Sequence, residues 1–362
     1  MKKKKKLRIG FTTGSAAAAA LKAAILNLFG RNIKLVDIPT PSGKRLKIPV
    51  HTEIKAQNYC NSWVIKDGGD DPDVTHGALI GVRVVVEQMD HRKINIFGGH
   101  GIGIVTKPGL PVKIGEAAIN PVPRKQILMA AYEALDELGI DAKITAIFYV
   151  EDGENLAKKT LNPRLGVKGG ISILGTRGTV IPYSAEAYKD SIILAMDVAK
   201  SLKIDHICLS TGGRSERLLR SALPLLRQEA FIQIADYFEF SLKQAAKKGF
   251  FKVSFGVFPG KLFKMAQGNR YTHAKDTKID FELLSKWAGE VQYPVDICNE
   301  IKKANTGRHV TEILKRDKDR FLEFIKFVCK RAKSVAKEFS DNKLNVNYYV
   351  FDYSEEPIIF YE

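Results

Sequence analysis

The sequence predicts a two-domain protein of mixed class, α/β and α+β. An N-terminal α+β domain with largely antiparallel strands is expected over residues 1–150, and a Rossmann-like parallel α/β domain with a helical C-terminal part over 151–362. Three observations predict this. A chain of 362 residues with 45% hydrophobic content is long enough for about two cores. Before residue 150, short alternating segments are separated by glycine and proline turns, the pattern of antiparallel hairpins. After Lys143, β-branched runs alternate with helix-length segments, the pattern of a parallel, doubly wound sheet.

The elements follow in order. Gly10-Phe11-Thr12-Thr13-Gly14-Ser15 precedes Ala16 to Ala20, so alanine-rich sequence behind hydroxyl residues predicts a capped helix. Thr12, Thr13 and Ser15, with the free N–H groups of that helix start, fit an anion site; an ordinary N-cap with a small-residue packing face fits equally. Val36–Pro39, Arg45–Val50 and Ser62–Lys66 alternate as antiparallel strands, with a Pro41-Ser42-Gly43 turn between the first two. Val82–Val86 and Lys93–Phe97 are further strands, the second ending at Gly98-Gly99-His100-Gly101-Ile102-Gly103. Pro108, Pro111, Pro121 and Pro123 predict an irregular path until a helix over Lys125–Leu138.

Ile144–Val150 is a strand, and Gly170–Gly178 has the form of a strand running into a Gly/Thr turn. A helix from about Ser184 to Leu202, a strand Ile204–Ser210, a helix beginning near Glu216, a helix Phe231–Lys247 and a strand Phe250–Val257 follow. Asp280–Phe339 reads as mostly helical, with Asp317–Lys337 the clearest amphipathic segment, and Asn345–Phe351 as a closing strand.

Composition narrows the function. Four scattered cysteines, Cys60, Cys208, Cys298 and Cys329, have no zinc, iron–sulfur or dithiol spacing, and no metal ligand set is assigned. They are expected to be reduced and mostly buried. No apolar run of signal-peptide length follows Lys2 to Lys6, and none elsewhere approaches about 20 residues, so a cytoplasmic location and no membrane span are expected. With 57 basic and 40 acidic residues, the net charge of +17 draws anionic partners. The basic residues are dispersed and carry no nucleic-acid-binding motif, so no nucleic acid is expected; the lysine run itself reads as a solvated terminus. A homodimer is the prior expectation for an enzyme of this size.

The segment Lys66–Gly77 is the most informative stretch. It packs Asp67, Asp70, Asp71 and Asp73 with Thr75, His76 and three glycines into twelve positions, and Gly68-Gly69 followed by Asp71-Pro72 breaks both helix and strand. Carboxylates at this density belong on a shaped loop, and the five residues Asp67, Asp70, Asp71, Asp73 and His76 are the candidate acid/base groups. Taken alone, a solvated acidic turn explains the same residues. Two further glycine-rich segments follow strands. Gly99, His100 and Gly101 allow a ligand close to the backbone, although a structural turn uses the same residues. Thr176, Arg177, Thr211, Gly212, Gly213, Arg214 and Glu216 are expected beyond the carboxyl ends of parallel strands, where ligands of such sheets bind.

Taken together, GFTTGSAAAAALKAA (10–24), VIKDGGDDPDVTHGA (64–78), GGHGIGIVTKPGL (98–110), GEAAINPVPR (115–124), ISILGTRGTVIPYS (171–184) and STGGRSE (210–216) resemble one family. It is the cobalt-precorrin-5B C1-methyltransferase family of anaerobic cobalamin biosynthesis, CbiD. The resemblance continues in GKLFKMAQG (260–268), in Thr272-His273 and in ANTGRHV (304–310), so it covers nearly the whole chain.

The resemblance implies transfer of a methyl group from S-adenosyl-L-methionine to a ring carbon of a cobalt-containing corrinoid precursor, an anionic tetrapyrrole that brings its own cobalt. A non-catalytic carrier of the same intermediate is the alternative. The family usually has a cysteine where this chain has Ala16, which argues for direct transfer without a cysteine nucleophile. On this reading Thr176, Arg177, Thr211, Gly212, Gly213, Arg214 and Glu216 would hold the cofactor, Glu216 at its ribose, and the acidic loop would serve the chemistry. Thr12, Thr13, Ser15, Gly99, His100, Gly101, Lys107 and Arg124 would receive the substrate. Glu216 equally suits a first helical turn, Arg214 and Lys107 a solvated surface, and Arg124 an ion pair with a neighbouring acid. These loops are expected to converge on one cleft.

Overall fold

The computed structural model describes residues 7–362, so the lysine run Lys2 to Lys6 lies outside the described residues. The chain divides into two compact units, Met1–Ala185 and Glu186–Glu362. The boundary expected near residue 150 therefore falls inside the first unit. The physical reason is that residues 167–180 return to pair with residues 10–11 and 101–105 of that unit.

In the first unit, β1 (Gly10–Phe11) leads into α1 (Thr13–Leu28). Every residue of α1 from Thr13 to Leu26 is buried, because a face of alanines lets helix and sheet backbones approach on all sides. β2 (Leu35–Pro39) and β3 (Arg45–Pro49) form the predicted antiparallel hairpin. Next come β4 (His51–Ala56), β5 (Tyr59–Ile65), β6 (Leu79–Gln88) and β7 (Lys93–Gly98). They are followed by the short β8 (Gly101–Ile102) and β9 (Ile104–Val105), then α2 (Pro121–Leu138) and β10 (Ala142–Val150).

The main sheet has the order β4-β5-β6-β10-β7. It is antiparallel except between β10 and β7, where the α2 crossover requires a parallel pair. Ile80, Val82 and Val84 of β6 and Ile144, Ala146 and Phe148 of β10 are buried on the face that α1 covers. α2 begins at Pro121, four residues before its expected start, because prolines in a first helical turn lose no hydrogen bond. Buried Lys22 of α1 is bracketed by Glu133 at 2.8 Å and Glu137 at 2.6 Å, both on α2. The unit closes with α3 (Gly153–Lys158), α4 (Asn162–Leu165), β11 (Val167–Lys168), β12 (Gly170–Ile171) and β13 (Thr179–Val180).

In the second unit α5 (Ala185–Ser201), β14 (His206–Ser210), α6 (Gly213–Ala222), β15 (Phe231–Gln233), α7 (Phe238–Lys247), β16 (Lys252–Val257) and α8 (Pro259–Ala266) alternate. The helices α9 (Phe281–Glu290), α10 (Val295–Lys302), α11 (Gly307–Leu314) and α12 (Lys318–Phe339) precede β17 (Asn345–Phe351) and β18 (Pro357–Tyr361).

The strand order is β15-β14-β16-β17-β18, parallel throughout except for the antiparallel edge strand β18. Two sequence expectations are corrected here. The single helix expected over Phe231–Lys247 is a strand followed by a helix, because Ala235 at φ +47° turns the chain between them. The helix expected near Glu216 begins at Gly213, and β18 had no sequence signal strong enough to anticipate it. Among the described residues no helix is long and apolar enough to cross a membrane.

Candidate functional site

The acidic loop between β5 and β6 is strapped down by the N-terminal segment. Arg8 pairs with the Asp67 carboxylate, the Arg8 N–H donates to Asp70 Oδ2 at 2.7 Å, and the Phe11 N–H donates to the Asp67 carbonyl at 2.8 Å. Glycine is required at this crossing, since a Cβ on Gly69, already at φ +68°, would stand 2.3 Å from the Arg8 carbonyl. The Arg8 hydrogen bond chiefly holds the Asp67 carboxyl below its ordinary value, against the opposing effect of burial.

Inside the loop Lys66, almost fully buried, donates to Asp73 Oδ2 at 2.6 Å. Thr75 donates to Asp73 Oδ1 from its N–H at 2.7 Å and its hydroxyl at 2.6 Å. Burial pushes the Asp73 carboxyl up, but Lys66 and Thr75 outweigh it and the net direction is down. His76 is half-exposed and accepts the Gly68 N–H on Nδ1 at 3.0 Å, with Asp67 Oδ1 at 3.6 Å. Asp71 accepts the Tyr183 N–H at 2.8 Å. All five candidate acid/base residues thus lie on one loop, and four of them have defined carboxylate partners.

The start of α1 is a different case. The Thr12 hydroxyl caps the Ser15 N–H at 3.2 Å, and the Gly14 N–H donates to Leu174 O at 3.2 Å. The Thr13 hydroxyl bonds Ser172 O and Leu174 O, and the Ser15 hydroxyl donates to Gly178 O at 2.7 Å. Thr12, Thr13 and Ser15 are buried with their polar groups engaged internally. The anion-site reading of this helix start is therefore corrected: the groups clamp the Ser172–Gly178 segment. Ala16 is fully buried behind them.

The glycines of the Gly98–Gly103 turn are likewise required by packing. A Cβ on Gly101 would meet the Val150 carbonyl at 2.0 Å, and one on Gly99 the Ile147 side chain at 3.0 Å. His100 is exposed at the apex. Lys107 lays its stem against Gly166 and reaches Arg164 O at 3.4 Å. Arg124, half-buried in the first turn of α2, has no side-chain partner among the described residues, so the expected alternative of a neighbouring acid is not realised.

The expected cofactor set is divided. Thr176 and Arg177 belong to the first unit, in the turn that α1 clamps, and not at a strand end of the parallel sheet. Thr211 and Gly212 do form the β14–α6 turn at the carboxyl edge of that sheet, and Gly213, Arg214 and Glu216 the first turn of α6. Nothing lies within 4 Å of a Cβ built on Gly212, and only Gln233 Nε2, at 3.8 Å, near one on Gly213. Neither glycine lies in the left-handed φ region, Gly212 being extended at φ 170°, so neither the fold nor its packing demands glycine there.

Ser210, at the end of β14, is fully buried with an unpartnered hydroxyl. Arg214 donates to Glu355 Oε1 at 2.7 Å and stacks over the Phe258 ring at 4.9 Å, which ties it to the chain. Glu216 is buried and accepts from Gln233 Nε2 at 2.7 Å. Lys66 and Gln233 escaped sequence reasoning. A lysine opening an acidic loop was the available signal for the first; the second lies in a segment read as helix.

Among the described residues no group of three or more His, Cys, Asp or Glu side chains is placed to hold a metal ion. Fold and site define a class: an α/β protein of two units, one presenting a braced carboxylate–imidazole loop, the other a parallel sheet with an uncrowded glycine turn at its carboxyl edge. Residues 1–182 match the family model CbiD, and residues 271–360 match CbiD, C-terminal domain. The chain belongs to the CbiD family.

It is 46% identical to a Priestia megaterium protein over 86% of this chain and 85% of that one. Identity is 44% with a protein of Geobacillus sp. (strain WCH70), over 90% and 89% of the two chains. With a Nitratidesulfovibrio vulgaris protein it is 40%, over 95% and 90%. All three relatives bear the name cobalt-precorrin-5B C(1)-methyltransferase. A crystal structure of the cobalamin biosynthesis protein CbiD from Archaeoglobus fulgidus is 29% identical, covering 73% of this chain and 81% of that one with a TM-score of 0.40.

Proposed function

We propose that this chain transfers a methyl group from S-adenosylmethionine to C1 of cobalt-precorrin-5B in cobalamin biosynthesis. The single observation that carries the reading is near full-length identity of 40 to 46% to relatives bearing that enzyme's name. The charge agrees with it. A tetrapyrrole precursor bears several carboxylates, and a net charge of +17 attracts such a substrate, with Arg124, unpaired among the described residues, a candidate to meet one of them.

The second unit, read as a Rossmann-like sheet, fits the methyl donor. Two glycines that the fold does not require, beside an orphaned buried hydroxyl, leave a place for a ligand against the backbone at Thr211–Gly213. When bound there, S-adenosylmethionine supplies an electrophilic methyl group whose bonding electron pair leaves with the sulfur. The protein's share is then to align an electron-rich ring carbon with that methyl and to exclude water. Thr12, Thr13 and Ser15 would act at a distance, by fixing the turn that carries Thr176 and Arg177.

In the acidic loop the carboxylates of Asp67, Asp70, Asp71 and Asp73 set the backbone, and His76 is the side chain free to meet a reactant. Its Nδ1 lone pair is occupied by Gly68, so the ring offers Nε2–H as a hydrogen-bond donor. The enzyme would work in the cytoplasm, where a homodimer remains the expected state. Incubation with the purified cobalt intermediate and methyl-labelled cofactor should place one label on C1. Binding of the intermediate without label transfer would identify a carrier instead.

A further inference from the structure

Three tyrosines and a carboxylate, none of them given a role above, meet just beyond the carboxyl end of β15. The Tyr237 ring centroid lies 5.7 Å from that of Tyr188 on α5 and 5.2 Å from that of Tyr271. All three are half-buried, so each ring keeps part of its surface open to solvent. Asp236 precedes Tyr237. Lys261 and the Thr272 hydroxyl both donate to its Oδ1, the hydroxyl at 3.0 Å, while Oδ2 has no partner among the described residues. Ala235, at φ +47°, makes the turn that presents the pair.

This cluster is continuous with the glycine turn. Gln233 bonds Glu216 and stands nearest to a Cβ on Gly213. Burial chiefly, and after it the negative charge of Asp236, pushes the Tyr188 phenol up.

Aromatic rings beside an open carboxylate oxygen, one strand out from a glycine turn on a parallel sheet, match the needs of a purine nucleoside. The base stacks on a ring, and the ribose hydroxyls donate to the carboxylate. We propose that Tyr237, supported by Tyr188 and Tyr271, and Oδ2 of Asp236 receive the adenosine half of the sulfonium donor. Asp236, and not the buried Glu216, takes the ribose hydroxyls. The inference rests on the methyl-donor reading and deepens it by naming the adenosine subsite.

The test is calorimetric titration of the full chain with S-adenosylhomocysteine, and with 5′-methylthioadenosine as a probe lacking the amino-acid half. Tyr237→Leu and Asp236→Asn are expected to weaken both ligands about tenfold or more, and Tyr237→Phe to leave them unchanged. Tyr188→Leu, on a different element, should weaken both as well, and melting temperatures identify any variant that fails to fold. Wild-type binding that these variants leave intact overturns the subsite while the donor reading stands. A loss confined to S-adenosylhomocysteine places the cluster at the amino-acid half and also overturns it. A wild-type chain that binds neither ligand overturns both.

Discussion

The backbone N–H of Gly68 donates to Nδ1 of His76 across 3.0 Å, and that bond decides what the imidazole can do. A ring that accepts on Nδ1 is neutral and carries its proton on Nε2, so it presents a donor and not a base. Nitrogen-15 NMR of the imidazole at pH 8 should therefore show the Nε2–H tautomer. His76→Ala should lower methyl transfer about a hundredfold with little change in melting temperature, and His76→Gln, which keeps a donor, should recover part of it. An Nδ1–H tautomer, or full turnover in His76→Ala, would remove His76 from the reaction.

Two glycines separate structural from ligand demand. Gly69 sits at φ +68° with its Cβ direction blocked by Arg8 O, so Gly69→Ala should cost about 2 kcal/mol or more of stability and loosen the acidic loop. Gly212 has open space and extended backbone, so Gly212→Ala should change stability by less than about 0.5 kcal/mol. If a cofactor lies against that backbone, the same methyl group should weaken S-adenosylhomocysteine binding measurably. Unfolding curves and calorimetry on the two variants separate the effects, and a Gly212→Ala chain that binds normally would argue that the turn is empty.

What the sequence made legible was what local chemistry dictates. Alternation in Arg45–Val50 and Ser62–Lys66, and the alanine run of α1, predicted elements that the structure has at Arg45–Pro49, Tyr59–Ile65 and Thr13–Leu28, because burial follows periodicity directly. The boundary near 150 was not legible, since β11, β12 and β13 have only two residues each and are defined by long-range pairing. In the site, the acidic loop could be read because unpaired carboxylates have nowhere else to go. Thr176 and Arg177 were expected at a strand end of the parallel sheet because a strand followed by Gly/Thr looks the same at a sheet's edge as in a turn clamped by Thr12, Thr13 and Ser15. Asp236 was hidden because hydrophobic spacing over Phe231–Lys247 does not record the single left-handed residue that breaks it.

Lys66 fixes Asp73, and Asp73 fixes the turn before His76. Because the folded Asp73 carboxyl titrates below its unfolded value of about 3.9, its contribution is present above that pH and is lost as pH falls through the folded value. Lys66→Met leaves a partly buried carboxylate facing no cation, and should cost about 2 kcal/mol at pH 7. That penalty should shrink below about pH 4, where protonation of the carboxyl removes it. Unfolding of wild type and variant at pH 7 and pH 3.5 checks both halves; a penalty independent of pH would mean the lysine stem, and not its charge, supports the loop.

The sign is the same for His206, although the group is a base. His206 opens β14, and its Nε2 lies 2.8 Å from Ser254 Oγ on the neighbouring β16. Burial first, then the neighbouring Lys252, pushes the imidazole down to about 4, against a smaller upward pull from Glu362. Between that value and the unfolded value of about 6.5, the unfolded chain holds the proton that the native ring refuses, so stability rises with pH across this window and is fully present above it. The ring keeps part of its surface in water, so the contribution is on the order of 1–2 kcal/mol and not the full ~3. Denaturant unfolding at pH 7 and pH 4.5 should show wild type losing that much more than His206→Gln. Equal losses in both chains would mean that acid sensitivity resides in other groups.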